Sequence, residues 1–412
     1  MISCDTEQKN NTDFLSLLKD PRYWELFFTQ KTEQKHLSKR ETDGLSAFIG
    51  DKRYLVYSAQ IEAGSFPQEY PVKKRINKEN VTKKRIVYTF SEEVNYVLKL
   101  LAFSLYRYDE FFCVNCYAFR RNRSVGHAIR HIQNHPALKH KYCYKADIRN
   151  YFNSIEPELL LSKLSPIRAA DPVVYEIFER ILMQPLVMEN NRLVTDSHGG
   201  MAGLPIAPFF ANWYLKDVDE LFFSKGIDYF RYSDDILIFA DTQQELSAYQ
   251  NLLKTCLDAH GLSINPEKES VTLPHGKWEF LGFSYQDGVL DLSDNTKRKI
   301  KSKIHRKAKA LRRWQRKKDL SPDKAAIGFI RAMNRKFYGT DSEDDFCWQR
   351  WFFPYLTVDT GLREIDAYMQ EYIRYCVTGR HYKGNYRIRY EQLKSWGYRS
   401  LVHEYYKQRE EK

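Results

Sequence analysis

Two adjacent carboxylates, Asp234 and Asp235, are the residues of this sequence with the clearest capacity for chemistry. They lie in the segment Phe230–Phe239, in which apolar and aromatic residues flank a short polar turn. This pattern predicts a β-hairpin that holds both aspartates at its turn. Because neighbouring carboxylates repel each other, such a pair is destabilising unless a cation neutralises it. Carboxylate oxygens are the ligands that Mg²⁺ prefers, so we interpret the pair as half of a divalent-metal site, with a solvated turn as the alternative.

A third carboxylate, Asp147, closes the strand-like run Tyr142–Asp147, and the residues after it suit a turn into a helix. An acid at a strand end beside an aspartate hairpin would complete a two-metal centre. Phe152 lies five positions further along the chain, near the mouth of any such site. In polymerases that make RNA, an acid at this position typically accepts the ribose 2′-hydroxyl of the substrate. An aromatic side chain would instead exclude that hydroxyl and so favour deoxynucleotides. The alternative for Phe152 is packing in the core.

The rest of the chain predicts elements that could position these acids. A basic segment, Lys83–Arg85, leads into a β-branched strand that ends near Phe90. The glycine- and proline-rich segment Gly199–Pro208 predicts a loop whose backbone can approach a ligand closely, and an apolar helix follows it. After the hairpin, the loop Gly261–Lys268 ends in a cation, and Trp278–Tyr285 predicts a further strand.

Positive charge is the dominant property of the composition. The formal net charge is +12 over 412 residues, which favours a polyanionic partner such as nucleic acid. The segment Lys297–Lys318 predicts a long basic helix with a thin apolar stripe, and Leu362–Arg374 predicts a second helix. Basic and aromatic residues are interleaved in Tyr117–Ser124 and again in the tail Arg380–Tyr390, a composition that suits phosphate contact and base stacking. A solvated surface is the alternative for any one of these side chains.

The sequence also indicates a cytoplasmic protein without a membrane segment. Met1–Glu7 lacks the basic and apolar parts of a signal peptide, and no apolar run approaches the ~20 residues of a membrane span. The seven cysteines are scattered, and their odd number argues against a disulfide framework. Cys113 and Cys116 form a single CxxC pair in an apolar stretch. Packed core thiols are the better interpretation of this pair than a zinc site, because no second pair of ligands stands at a suitable spacing.

In this order, the motifs resemble those of bacterial reverse transcriptases from the branch related to group II introns and retrons. The resemblance covers the chain from residue 80 to residue 375 or so. It rests on Tyr232–Asp235 for the Tyr-x-Asp-Asp motif, Asp147 with Phe152 for the first catalytic motif, Gly199–Leu215 for the "GTPQGGVISPLLANIYL"-type motif, Leu262–Lys268 for the "LSLNPEKT" segment, Phe280–Phe283 for the primer-grip hairpin and Tyr117–Ser124 for the "YGFRPGRS" element.

The resemblance implies an α+β fold of the right-hand polymerase type, with an antiparallel sheet in the palm and an α-helical thumb. The implied domains are fingers at 1–140, with part of the palm from residue 95 or so, a palm at 141–290, a thumb at 291–378 and a basic aromatic tail at 379–412.

Roles for individual residues follow from the same resemblance. Asp147, Asp234 and Asp235 would hold two Mg²⁺ ions, with Mn²⁺ as a substitute. Lys268 matches the lysine thought to protonate the leaving pyrophosphate, and Phe152 matches the aromatic steric gate.

Four further residues are implied in nucleotide binding. Lys84 and Arg85 would bind the triphosphate of the incoming dNTP, while Ala202 and Gly203 would line the pocket beside the nascent base pair. Two positions depart from the family's motif: Ala202 stands where the family has Gln, and Ala207 where it has Ser before Pro. Losing the amide removes hydrogen bonds near the nascent pair. Such variation resembles the "unknown group" enzymes of anti-phage systems, the defence-associated reverse transcriptases.

These observations predict an RNA-directed DNA polymerase of a bacterial defence system, with dNTPs as substrates, a cognate noncoding RNA as template and DNA as product. An accessory defence protein or a second copy of the chain is left open as a further partner. Three alternatives remain: a retron enzyme making branched msDNA, a non-templated or protein-primed DNA polymerase, and a catalytically decayed RNA-binding scaffold. The first is suggested by Val377–Gly379, which is similar to the Val-Thr-Gly sequence of retron enzymes. An RNA polymerase is disfavoured by Phe152, where an acid would be expected.

Overall fold

The computed structural model describes residues 12–33, 37–77, 84–339 and 347–411. Two segments used in the sequence predictions, Met1–Glu7 and Lys83, lie outside these ranges. Within them the chain forms two compact units. The first is built from the described residues of 1–128 and 141–271, and the second from those of 129–140 and 272–412.

The strands of the described residues are β1 (Val72–Asn77), β2 (Lys84–Thr89), β3 (Tyr142–Asp147), β4 (Leu186–Glu189), β5 (Arg192–Thr195), β6 (Asp228–Tyr232), β7 (Asp235–Ala240), β8 (Ser270–Thr272), β9 (Trp278–Phe280), β10 (Phe283–Gln286) and β11 (Val289–Leu292).

The α-helices of the same residues are α1 (Phe14–Lys19), α2 (Pro21–Glu33), α3 (Lys39–Gly50), α4 (Tyr54–Glu62), α5 (Glu92–Ser104), α6 (Val125–Gln133), α7 (Tyr151–Ser154), α8 (Pro157–Lys163), α9 (Ser165–Ala170), α10 (Pro172–Leu182), α11 (Ala207–Tyr214), α12 (Lys216–Ser224), α13 (Gln243–Ala259), α14 (Asp294–Lys317), α15 (Pro322–Tyr338), α16 (Trp348–Trp351), α17 (Thr360–Thr378), α18 (Tyr390–Ser395) and α19 (Leu401–Glu410). Short 3₁₀ helices cover Leu105–Phe111, Pro136–His140, Pro266–Lys268 and Lys383–Arg387.

The first unit is organised around a sheet with strand order β6–β7–β3–β8. β7 pairs antiparallel with both β6 and β3. Its residues Ile236–Ala240 are all buried, which is why this strand is a continuous apolar run without polar alternation. Helix α13 packs against β7 and β3, and α12 packs against β6. The hairpin predicted for Phe230–Phe239 is therefore present, at the centre of a core.

A second sheet of this unit has the order β2–β1–β4–β5. β1 and β2 are antiparallel along their whole length, whereas β1 and β4 are parallel and pair at Val72 and Met188. β4 and β5 form a hairpin closed by Asn190 and Asn191, whose φ angles of 52° and 61° suit a two-residue primed turn. Asn tolerates this left-handed backbone better than most residues, which explains its use at both positions.

Helices α1 to α5 add an aromatic core to the first unit. Trp24 is fully buried, stacks on Tyr54 at 5.3 Å between ring centroids and meets Phe48 edge-on at 5.5 Å. Its indole N–H donates to the carbonyl oxygen of Leu18 at 2.8 Å, so the one polar atom of the ring is satisfied.

The second unit combines an antiparallel sheet, β11–β10–β9, with the packed helices α14, α15 and α17. The predicted apolar stripe of the basic helix is confirmed, because Ile300, Ile304 and Ala308 are buried. The single strand predicted from the residue pattern of Trp278–Tyr285 is wrong, whereas the hairpin implied by the resemblance at Phe280–Phe283 is present. Leu281 and Gly282 have φ angles of 52° and 90° and turn the chain, so the segment is a hairpin of β9 and β10.

The carboxyl-terminal tail is more ordered than its composition suggests. It contains α18 and α19 and is fixed to α17 through the buried carboxylate of Asp366. This carboxylate accepts hydrogen bonds from the hydroxyls of Tyr398 and Ser400 and from the backbone N–H groups of Leu401 and Val402, at 2.6–3.0 Å. Because local sequence periodicity does not encode such long-range anchors, these helices were not predicted.

The α+β fold class is confirmed by the antiparallel sheets and the many helices. The four-part division into fingers, palm, thumb and tail stays a prediction. Every helix in the described ranges is too short or too polar to span a bilayer.

Candidate active site

Strand register brings the three aspartates to one end of the first unit's central sheet. Asp147 pairs directly with Asp235 across β3 and β7. Directly opposed residues of an antiparallel pair project from the same face, with Cβ atoms ~4.5–5.5 Å apart. Asp234 lies in the turn between β6 and β7, which contains only two residues because Tyr232 already pairs with Asp235. The carboxylates that the sequence placed 87 and 88 positions after Asp147 are thus neighbours in space.

The turn itself is fixed by buried polar contacts. Ser233 has a φ of 61°, a left-handed conformation that few residues other than Gly adopt, and it is buried. Its carbonyl oxygen accepts a hydrogen bond from the Arg231 guanidinium at 3.3 Å. The carbonyl oxygen of Asp234 accepts one from the backbone N–H of Ile148 at 3.0 Å, which ties the turn to the end of β3.

Arg231 is the functional candidate that the sequence predictions missed. It is fully buried and makes a two-pronged contact with Asp219 on α12, at 2.7 Å from Nε and 2.5 Å from Nη2. Its Nη2 also lies 3.2 Å from the Cys116 thiol, and Asp219 accepts a further hydrogen bond from the Tyr229 hydroxyl at 3.0 Å. A lone cation within an otherwise apolar and aromatic strand is the sequence signal that could have identified it, since a buried charge requires a partner.

Electrostatics at the three aspartates favour a cation. Burial raises the pKa of Asp235 to about 6, partly opposed by Lys145 and reinforced by the charges of Asp234 and Asp147. Burial, and then the charge of Asp147, also raise the pKa of Asp234. The ionised carboxylates are therefore held close together in a poorly solvated place, where positive charge would stabilise them.

Lys268 supplies one such positive charge. Its Nζ lies 2.5 Å from Oδ1 of Asp147, and although burial lowers the pKa of Lys268, this contact and the charges of Asp234 and Asp235 raise it above its ordinary value. A backbone hydrogen bond explains why Lys268 lies here: the N–H of Asn265 donates to the carbonyl oxygen of Asp147 at 2.8 Å. The 3₁₀ turn that carries Lys268 is thus attached to the end of β3.

The residue after Lys268 strengthens this attachment. Glu269 accepts a hydrogen bond from the buried Tyr144 hydroxyl at 2.7 Å and pairs with Lys254 at 2.9 Å. Tyr144 lies on β3 and Lys254 on α13, so one carboxylate joins the lysine-bearing turn to both elements.

The donor chemistry of the site fits divalent metal ions. Three carboxylates at one sheet end provide the oxygen ligands that Mg²⁺ and Mn²⁺ prefer. As the side chains stand, no group of three or more His, Cys, Asp or Glu in the described ranges is arranged to hold an ion. In this arrangement the ammonium of Lys268 is bound to Asp147. Metal binding therefore requires Lys268 to release Asp147 and the three carboxylates to turn towards one another.

For Phe152 the sequence left two interpretations open, an aromatic side chain at the mouth of the site and packing in the core, and its surroundings have features of both. It is on α7, half-buried, and its ring meets the Phe119 ring edge-on at 6.1 Å between centroids. Phe119 is 42% exposed and lies 6.4 Å from the Tyr232 ring, next to the aspartate turn. Phe152 therefore packs against the core, and Phe119 connects it to the aromatic side chain beside the aspartate turn.

The glycine-rich segment before α11 approaches the protein's own backbone. The N–H of Gly200 donates to the carbonyl oxygen of Phe152 at 2.7 Å. Gly203 has a φ of 107°, and a Cβ there would lie 2.9 Å from the carbonyl oxygen of Tyr88 on β2. The Tyr88 N–H donates to the carbonyl oxygen of Ala202 at 2.8 Å, and Ala202 is buried. The close approach predicted for a ligand is thus also a structural requirement, because it joins β2 to the residues around Phe152.

Lys84 and Arg85 begin β2 and are exposed. Neither forms an ion pair with another described residue. Arg85 is near enough to Asp234 to lower the pKa of that carboxyl, which offsets part of the effect of burial. Of the two predicted triphosphate ligands, Arg85 is therefore the one whose charge acts on Asp234.

The expectation of exposed aromatic and basic residues in Tyr117–Ser124 is partly wrong. Tyr117 is fully buried, while Phe119 is exposed. The Arg120 guanidinium donates to the carbonyl oxygens of Cys113 at 2.8 Å and Asp109 at 2.6 Å, so it stabilises a loop and does not face solvent. Cys116 is buried as predicted for a core thiol, and burial raises its pKa to about 12.

Three carboxylates at the end of an antiparallel sheet, beside a lysine, define a site suited to metal-dependent transfer of a phosphoryl or nucleotidyl group. Residues 76–285 match the family described as reverse transcriptase (RNA-dependent DNA polymerase). Because this match covers slightly more than half of the chain, the chain belongs to that family, whose members are nucleotidyltransferases. No curated protein sequence matches the chain.

Among solved structures, the chain is similar in fold to telomerases of two yeasts. Apo telomerase from Candida tropicalis truncated from its C-terminal domain shares 13% identity, with 54% of this chain and 55% of that chain covered and a TM-score of 0.43. A second structure of apo telomerase from Candida tropicalis also shares 13% identity, with 79% and 67% covered and a TM-score of 0.45. Telomerase from Candida albicans in complex with the TWJ fragment of telomeric RNA shares 11% identity, with 87% and 68% covered and a TM-score of 0.42. The chain thus spans about half the length of the first of these proteins.

Proposed function

We propose that the protein copies RNA into DNA from dNTPs, using divalent cations at Asp147, Asp234 and Asp235. The observation that carries this proposal is the register of β3 and β7, which places Asp147 opposite Asp235 and next to the turn that holds Asp234. Membership of the reverse transcriptase family supports the reaction type.

The three aspartates would hold two cations, which we expect to be Mg²⁺, with Mn²⁺ as a substitute. When bound, these ions increase the acidity of the primer 3′-hydroxyl and neutralise the triphosphate and the leaving pyrophosphate. Lys268, released from Asp147, would face the leaving group and donate its proton. Arg85, with Lys84 beside it on β2, would bind the triphosphate, because both cations are exposed and unpaired among the described residues.

Phe152 would select deoxynucleotides. Its half-buried ring is supported by Phe119 and lies on the border of the site, where it would meet a ribose 2′-hydroxyl.

Replacing Phe152 with Ala should therefore raise the ratio of kcat/KM for rNTPs to that for dNTPs by about tenfold or more, since the steric barrier is removed. Single-nucleotide extension with each substrate would measure this ratio. Phe223→Ala is the matched control, because Phe223 is 56% exposed on α12 and its loss should not affect sugar selection. An unchanged ratio in Phe152→Ala would return Phe152 to a packing role.

The finer proposal is a bacterial defence enzyme, located in the cytoplasm and bound to a cognate noncoding RNA. It is supported by Ala202 and Ala207 in place of the family's Gln and Ser, a departure similar to that of defence-associated reverse transcriptases. Both alanines are buried, so the pocket beside them is lined by methyl groups where the family has polar atoms.

Restoring the amide with Ala202→Gln should change template dependence, because a Gln side chain can hydrogen-bond near the nascent base pair. The measurement is dNTP incorporation with and without added RNA template, expressed as a ratio for each protein. Ala202→Met is the control, because it adds similar volume without an amide. If both variants shift the ratio equally, the amide is not the cause.

One experiment tests the function as a whole. The protein is purified with its bound nucleic acid, both strands are sequenced, and the sample is incubated with Mg²⁺ and each dNTP separately. DNA complementary to one discrete RNA would support templated synthesis, and its 5′ end would distinguish retron-type branching from other priming. DNA without a complementary template would support a non-templated polymerase. Bound RNA without any DNA synthesis would favour the scaffold alternative and contradict the proposal.

A further inference from the structure

The second unit carries positive charge that its own acids do not balance. Helix α14 contains twelve Lys and Arg residues and one acid, Asp294. In its first half, Lys297 pairs with Asp294 and Glu364 at 2.9 Å, and Lys301 pairs with Glu364 at 2.6 Å. In its second half, Lys309 and Arg316 are exposed and form no ion pair with a described residue. Lys309 and Arg316 are thus two cations of this helix that no acid of the described residues balances.

This end of α14 lies against the end of α17. A Cβ at Gly379, which ends α17, would lie 3.0 Å from Nη2 of Arg316 and 3.1 Å from Nε of Arg312. Arg312 donates to the carbonyl oxygen of Cys376 at 3.3 Å and to Oε1 of Gln315 at 2.7 Å. Helix carbonyls attract cations, so Arg312 has a structural role in capping α17.

Capping does not account for the whole cluster. Nε of Arg312 is buried and has no hydrogen-bond partner. Burial lowers the pKa of Arg312, and the neighbouring charge of Arg316 lowers it further, so the two guanidinium groups repel each other. Burial lowers the pKa of the His305 imidazole, and the nearby charges of Lys309 and of His381, in the loop after α17, lower it further. Like charges are therefore held together here in a way that a bound polyanion would relieve.

Two exposed tyrosines lie in the loop after α17, three and seven positions beyond Gly379 in the sequence. Tyr382 is 56% exposed and Tyr386 is 74% exposed, the largest exposed fraction among the large apolar and aromatic side chains of the described residues. The loop is ordered by Asn385, whose N–H donates to the carbonyl oxygen of Tyr382 at 3.0 Å and whose amide donates to that of Arg380 at 2.7 Å. Arg374 lies 5.3 Å from the centroid of the Tyr386 ring and leaves the ring largely in solvent.

We propose that this surface, formed by Lys309, Arg312, Arg316, Tyr382, Lys383 and Tyr386, binds a single-stranded segment of RNA. Phosphates would contact the cations, and unpaired bases would stack on the two tyrosines. Exposed aromatic rings beside cations suit single strands, because the bases of a duplex are already stacked on one another. The occupant is RNA and not the DNA product, because the RNA must be held before any DNA exists; in this respect the inference rests on the proposed function.

The test measures RNA binding without synthesis. The full chain is first saturated with an unlabelled primer–template duplex, in the absence of dNTPs and divalent ions. A labelled, unstructured RNA of about 12 nucleotides is then titrated by fluorescence anisotropy. The variant Tyr382→Ala/Tyr386→Ala should bind it about tenfold or more weakly than the unchanged protein. The variant Arg316→Gln/Lys383→Gln should lower the slope of log K against log salt by about 0.7 for each phosphate that the protein no longer neutralises.

The matched control is Tyr70→Ala/Tyr406→Ala, which removes two tyrosines that are 39% and 46% exposed elsewhere and should bind as the unchanged protein does. Primer extension on a saturating preannealed template is measured for the same proteins and should be unaffected by the surface variants. Equal RNA affinity in all variants would overturn the inference. So would equal loss for a DNA strand of the same sequence, or tighter binding of an RNA duplex. If the unchanged protein extends no primer but the tyrosine variant still loses RNA binding, the proposed function fails and the binding surface stands.

Discussion

Replacing both aspartates of the hairpin turn, Asp234→Asn/Asp235→Asn, should reduce DNA synthesis by about three orders of magnitude or more. The amides keep the shape of the carboxylates but cannot bind divalent cations in their place. Primer extension at saturating template and dNTP would measure the loss of kcat. RNA affinity should change little, because exposed Lys and Arg side chains contact phosphates and neither substituted residue is a cation.

The same variant distinguishes loss of chemistry from loss of folding. The two carboxylates are half-buried and repel each other and Asp147, so their neutral replacements should leave the free energy of unfolding unchanged or raise it in the absence of metal ions. Added Mg²⁺ should raise the unfolding temperature of the unchanged protein and have a smaller effect on the variant. Asp241→Asn, at the far end of the same hairpin and 71% exposed, is the control. Retained synthesis, or a large loss of stability, would contradict the assignment of the three carboxylates.

The second large effect is expected beneath the turn, at the buried pair of Arg231 and Asp219. Arg231→Met leaves the carboxylate of Asp219 buried without its cation, which should lower the free energy of unfolding by about 3–5 kcal/mol. The double variant Arg231→Met/Asp219→Leu removes both charges and should be less destabilised than the single variant. Chemical denaturation of Arg231→Met, Asp219→Leu and the double variant, compared with the unchanged protein, gives the coupling energy of the pair.

A milder change tests whether Arg231 positions the turn. Arg231→Lys keeps the charge but cannot make two parallel contacts with Asp219 while donating to the carbonyl oxygen of Ser233. We expect this variant to fold, to retain its KM for dNTPs and to need a higher Mg²⁺ concentration for half-maximal rate, because the aspartates are less well held. Arg22→Met is the control, since Arg22 forms an exposed pair with Asp20 that contributes little. A normal Mg²⁺ requirement in Arg231→Lys would reduce Arg231 to a purely structural residue.

The parts of the site that follow from local pattern could be predicted from the sequence. The hairpin around Asp234 and the strand ending at Asp147 each occupy one short run of apolar residues, and strand periodicity identifies such runs directly. The buried face of α14 follows from the helical spacing of Ile300, Ile304 and Ala308 in the same way.

Features that depend on distant partners could not be predicted in this way. Whether Tyr117 is buried or exposed depends on which elements cover it, and its own segment, rich in arginine, indicated the surface. The parallel pairing of β1 with β4 joins residues more than a hundred positions apart, and no local signal encodes it. The turn at Leu281 and Gly282 was implied by the family resemblance but not by the residue pattern. Leu is rare at a positive φ, so composition alone favoured an unbroken strand.

The anchoring of the tail at Asp366 has a consequence for limited proteolysis. Four donors between Tyr398 and Val402 hydrogen-bond one carboxylate on α17, so the segment between the last two helices is attached to the body of the unit. A nick in the exposed loop near Lys383 would cut the chain without releasing the carboxyl-terminal fragment. The two pieces should co-elute in native buffer and separate only in denaturant. A protein shortened before Tyr398 should lose folding stability both because the buried carboxyl group of Asp366 loses its hydrogen-bond donors and because packing is lost.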